Sequence, residues 1–148
     1  MAITSINSIK TSLKTLVQTV TSFTELNHVT DALKETYKTA SSKYGVRSLS
    51  VAEVDGHTRA FMVDIPYEVT LCKSFVSSNQ SDNADDIETE LQQYHMDIYK
   101  QAQLTKINAN ANVSIVNNLA ISESEIDYDN RIVIVKATFI VKVDTNVG

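Results

Sequence analysis

Side chains able to do chemistry are few in this 148-residue chain, and their spacing brings no set of them together. The three histidines, His28, His57 and His95, stand apart from one another. A metal site needs several convergent ligands, and neither a paired-cysteine pattern, an H-E-x-x-H pattern nor an acidic calcium loop is present. His95, next to Met96 and Asp97, reads as a surface or boundary side chain. The single cysteine, Cys72, has no partner for an internal disulfide, and its place in an apolar alternation reads as a small buried hydrophobe. Glycine occurs only at positions 45, 56 and 148, which excludes a phosphate-cradling loop and a dinucleotide fingerprint. No Gly-x-Ser-x-Gly elbow occurs. Asp55 and His57 flank a candidate turn, and Asp82, Asp85 and Asp86 crowd a helix start, where they complement the helix dipole. Arg47 and Arg59 are placed to approach each other across a hairpin, without an aromatic platform beside them. No catalytic, cofactor-binding or metal-ligating residue is assigned, and the chain reads as non-enzymatic.

The elements that would have to position such groups are easier to find. Residues 131–143 place Ile132 and Ile134 on one side, and Val133, Val135, Ala137, Phe139, Val141 and Val143 on the other. Period-two apolar placement on both sides predicts a strand near the middle of a sheet, buried on one face and partly covered on the other. Near the N-terminus, Ile6, Ile9, Leu13, Leu16, Val17 and Val20 recur every three or four residues, the stripe of an amphipathic helix capped by Thr4 or Ser5. Residues 23–44 allow two readings, a short helix around Val29 to Tyr37 or an extended piece at a sheet edge over 25–30. Residues 40–45 read as a polar break, with Gly45 free to take positive φ.

Residues 47–54 read as a strand with Leu49, Val51 and Ala52 inward, and Asp55-Gly56 as a two-residue hairpin turn. The return strand alternates from Phe61 to Leu71. Pro66 interrupts it and predicts either an edge position or a bulge there. After a polar loop over 77–83, Asp82 or Asn83 caps a second helix over 85–104, with Ile87, Leu91, Tyr94, Ile98 and Ala102 on one face. A linker over 105–111 follows. Then comes a strand over 113–126 interrupted near Asn117-Asn118, and a turn over 127–130. The fold class is therefore α+β: one domain over 1–148, with a mostly antiparallel sheet of about four to five strands and two main helices packed on one face.

The chain has 13 basic against 18 acidic side chains, a formal net charge of −5. That balance argues against tight nucleic-acid binding, which needs a basic surface. No apolar run approaches the roughly 20 residues of a membrane span, and the first residues lack the basic and apolar segments of a signal peptide. The expected compartment is a cytoplasm.

Taken as a pattern, the chain resembles the phage tail terminators, also called tail-completion or neck proteins. The likeness rests on the length, the opening amphipathic helix, the alternating strand over 59–71, the helix over 85–104, and the closing hairpin with its acidic turn over 127–130. The resemblance implies a virion component, present in the host cytoplasm during assembly. It would form a homo-oligomeric, hexameric ring on the head-proximal end of a tail tube, ending tail growth. Its partners would be the tail tube protein and the head–tail connector, with DNA passing through the ring and no cofactor. The interface residues expected on this reading are Arg47, Arg59, Ser77, Ser78, Asn79, Gln80 and Asp82. Two alternatives stay open: another head–tail connector, tube or baseplate component, and a small intracellular adaptor that takes a peptide at an exposed strand.

Overall fold

A computed structural model describes residues 2–26, 42–49, 52–56, 60–75, 80–109, 113–129 and 131–146. Helix α1 (Ala2–Thr21) opens the chain, followed by strands β1 (Thr24–Glu25), β2 (Ser42–Ser48), β3 (Ala52–Gly56) and β4 (Ala60–Ser74). Helix α2 (Gln80–Ala109) precedes β5 (Val113–Ile121), β6 (Glu125–Asp127) and β7 (Ile132–Asn146). The class is α+β, with two helices among the described residues and a sheet that is antiparallel except where β1 runs parallel to β2. Seven strands form it, more than expected, because two long stretches are each split and because β1 and β6 are stubs of two and three residues.

The order β1-β2-β4-β7-β5, with β3 on β4 and β6 on β7, puts β4 and β7 at the centre. They pair without a break from Ala60↔Asn146 to Ser74↔Ile132. This matches the expectation for residues 131–143. On one face Tyr67, Val69, Leu71, Val133, Val135, Phe139, Val141 and Val143 are buried against the helices. On the opposite face Cys72, Ile132 and Ile134 are buried with Leu26. Cys72 is thus the buried small hydrophobe that its position predicts.

Pro66 meets neither expectation in full. β4 is a central strand, with β2 and β3 on one side and β7 on the other, and its ladder with β7 runs through Pro66↔Ile140 without a bulge. It is at Pro66 that it has an edge-like side. The interruption lies in the other neighbour: the β2 ladder stops at Ser48↔Tyr67 and the β3 ladder starts at Ala52↔Asp64. Leu49 N–H donates to the Pro66 carbonyl across 2.8 Å. The nitrogen and carbonyl of one strand residue point to the same side, so the bare proline nitrogen faces this gap, where no ladder bond is lost. The same split turns Leu49 outward to 37 % exposure, against the inward placement expected of it.

α1 buries Ile9, Leu13, Leu16 and Val17 as its stripe requires. It begins at Ala2, so Thr4 and Ser5 lie within it and do not cap it. Its threonines are accommodated by back-bonding, Thr15 to the Thr11 carbonyl and Thr19 to the Thr15 carbonyl. Ser22, at φ 62°, closes the helix by donating to the Gln18 carbonyl at 2.8 Å, an αL cap. α2 buries Ala84, Leu91, Ile98 and Ala102, with Ile87 and Tyr94 packed at the margin. It runs from Gln80 to Ala109, longer than expected at both ends, so Asp82 and Asn83 belong to its first turn and residues 105–109 are helix. Phe23 meets Tyr94 edge-on at 5.5 Å and ties the exit of α1 to α2.

Residues 42–45 are strand and not a polar break. Tyr44 is fully buried, its hydroxyl accepting from Gln18 Nε2 at 2.6 Å, and Gly45 keeps negative φ. Of the two readings for 23–44, the extended one is met only at its start, where Thr24–Glu25 pairs with β2; residues 27–30 and the helix alternative fall outside the described residues. Asp55 and Gly56 are ladder residues opposite Met62 and Phe61, so they do not form the two-residue turn expected of them. The interruption expected near Asn117-Asn118 is present: the register shifts between Asn117 and Ala120, and Asn118 has φ 63°.

Candidate functional site

Register decides which polar groups share a surface. Because β2, β4, β7 and β6 alternate in phase, Arg47, Glu68, Thr70, Lys136, Thr138, Lys142, Glu125 and Asp127 all fall on the sheet face that, among the described residues, carries no helix, called here the helix-free face. Arg47 and Glu68 stand directly opposite each other, with Nε and Oε1 at 2.8 Å. Glu68 is the more enclosed partner, its side chain 13 % exposed against 40 % for Arg47. Thr70 sits between Gly45 and Lys136, fully buried, and its hydroxyl has no hydrogen-bond partner.

Two adjoining depressions share Glu125. One, of about 380 Å³, runs between Glu68, Lys136, Thr138, Ser122 and Glu123. The other, of about 470 Å³, has Ile132 and Ile134 at its base, Ile126 at its side, and Glu125, Asp127, Tyr128 and Asp129 around it. Tyr128 is 48 % exposed and packs edge-on against Phe75 at 5.8 Å. Chain direction reverses here through Arg131, at φ 58°, whose carbonyl accepts from Phe75 N–H.

On the helix side, His95 contradicts its boundary placement. It lies on the buried stripe, four residues after Leu91, and is 2 % exposed. Nε2 donates to the Val135 carbonyl at 2.8 Å. Burial pushes its pKa down to about 4, although the carbonyl pulls the other way. Burial likewise pushes the Tyr67 phenol up. Among the described residues no group of three His, Cys, Asp or Glu side chains could hold a metal ion, and no helix is long and apolar enough to cross a membrane.

Of the residues expected at an interface, Arg47 lies on the helix-free face. Gln80 and Asp82 open α2, and Arg59, Ser77, Ser78 and Asn79 fall outside the described residues. Sequence reasoning missed Glu125, which it read as strand, and Tyr128 and Asp129, which it read as a turn. It also passed over Met96 and Leu104, 53 % and 69 % exposed on α2. Their signal was present, since both are apolar residues off the buried stripe of that helix. Comparison with protein-family models and with curated proteins finds no match for this chain.

Proposed function

We propose that the chain is a structural phage protein that closes the head-proximal end of a tail tube as a ring, ends tail growth and presents a surface to the head connector. The observation that carries this reading is the central β4–β7 pair with open strands on both sides of it. Each strand is 15 residues long. β3 pairs only with β4, and β5 only with β7, among the described residues. Two unlike edges facing opposite ways suit a heterologous contact, in which one subunit's edge meets a different edge of the next and rotation closes the ring. The resemblance in length and element order supports the same reading.

The test is electron microscopy of purified protein added to growing tail tubes. Rings at one end, with tubes held to a fixed length, are expected; tubes that keep growing with no density at their ends would sink the proposal. The acidic balance adds a second expectation, no measurable binding to duplex DNA at physiological salt. Micromolar binding that falls steeply with added salt would favour a DNA-contacting connector instead.

A further inference from the structure

The outer surface of α2 carries an exposed stripe, Met96, Lys100 and Leu104, at steps of four. Residues four apart on a helix are neighbours, so this stripe is an ammonium between two apolar knobs. Large exposed apolar side chains are few among the described residues: Leu49, Met96, Leu104 and Tyr128. Two of the four lie in this stripe, and a third stands over the groove at β6. That groove is the stripe's complement: the half-exposed Tyr128 ring and the exposed carboxylates of Glu125 and Asp129 line it, over Ile132 and Ile134, which are themselves buried. The stripe lies on the outer side of the helix layer and the groove on the helix-free face of the sheet. Within one molecule they cannot meet.

We propose that the Met96–Lys100–Leu104 stripe of one copy docks into the β6 groove of a second copy. The contact is heterologous, since stripe and groove are different surfaces, and it therefore propagates to a closed ring or an open filament. Lys100 meets the carboxylates of Glu125 and Asp129, while Met96 and Leu104 pack about the exposed Tyr128 ring; the charge fixes register and the apolar contact adds affinity. The inference rests on the ring reading for its closed form only, because the complementarity stands without it.

The experiment is sedimentation of the full chain over a concentration series, with Lys100→Glu, the double variant Glu125→Lys/Asp129→Lys, and their equimolar mixture. All three positions are exposed, so circular dichroism should match wild type. Wild type should self-associate. Each charge reversal should weaken that association by about 30-fold or more, the size expected when one partner of an interfacial charge pair is lost. The mixture should assemble again, because every stripe then finds a groove of opposite sign. Lys100→Glu assembling like wild type, or a mixture that stays apart, overturns the contact while leaving the ring reading in place. A wild type that remains monomeric up to its solubility overturns it as well, and the tail-tube experiment then decides the ring reading alone. An open filament abolished by Lys100→Glu supports the contact and counts against the terminator.

Discussion

The two faces of the central sheet are made by alternate residues of the same two strands, yet they are opposite in kind. Under the helices, Tyr67 faces Phe139 and Leu71 faces Val135, all buried. On the other side, the intervening positions supply Glu68, Thr70, Lys136, Thr138 and Lys142, a half-buried polar field around one buried apolar cluster. Period-two geometry makes this possible, since each strand writes two surfaces at once. The contrast separates what holds the fold from what is available to a partner.

That separation can be broken most directly in the core. Phe139→Ala removes a ring that packs on Tyr99 at 5.9 Å and should cost about 3–5 kcal/mol in urea unfolding, a large part of a small domain's margin. Lys142→Ala, three residues on and across the sheet, should stay within about 0.5 kcal/mol. Equal losses at the two positions would show that the helix-free face is as much a folding core as the other.

A pH series sharpens the same comparison, because buried His95 lies on the helix side. In the unfolded chain His95 titrates near 6.5, and in the fold near 4. Between those values the unfolded state holds more protons, so stability falls as pH drops from 6.5 towards 4, by up to about 3 kcal/mol, and this group adds no further slope below 4. His95→Gln keeps a donor for the Val135 carbonyl without a titrating ring. The difference between wild type and His95→Gln, followed by thermal melts, should appear over that window; identical pH profiles would mean that His95 is accessible to water in the fold.

The legible part of this molecule was whatever repeats. The stripe Ile9, Leu13, Leu16, Val17 fixed α1, and the alternation from Val133 to Val143 placed β7 at the centre with both faces covered. What hid was whatever depends on a neighbour. Pro66 is harmless in a central strand because the adjoining ladder is broken beside it, and the sequence of β4 alone cannot show that. His95 falls at a stripe position, but a polar side chain there reads as boundary until a carbonyl is seen to receive it. The candidate groove was the least readable, because residues 125–129 meet Ile132 and Ile134 only through a reversal and the register it sets.

Thr70 offers a smaller effect of opposite sign. Its hydroxyl is buried without a partner, a state that costs about 1–3 kcal/mol, so Thr70→Val should stabilise the free protein by about 1 kcal/mol while keeping a β-branched strand residue. Calorimetry on the isolated chain checks this. A destabilised variant would reveal a hydrogen-bonding group already seated on the helix-free face.

The smallest expected effect is the Arg47–Glu68 pair, and it tests how wet that face is. At 2.8 Å the geometry is good, but Arg47 is 40 % exposed, so solvent screens the attraction, and a double-mutant cycle should return only about 0.2–1 kcal/mol of coupling. The single variants should nevertheless differ. Removing Arg47 strands a carboxylate whose side chain is 13 % exposed, whereas removing Glu68 leaves a guanidinium that can reach water. Arg47→Ala should therefore cost more than Glu68→Ala, and the coupling should shrink as salt rises, because exposed charges are screened. Coupling of several kcal/mol, insensitive to salt, would place the pair in a dry interior. The helix-free face would then resemble the helix-covered one, and the division drawn between them would fail at the pair nearest its centre.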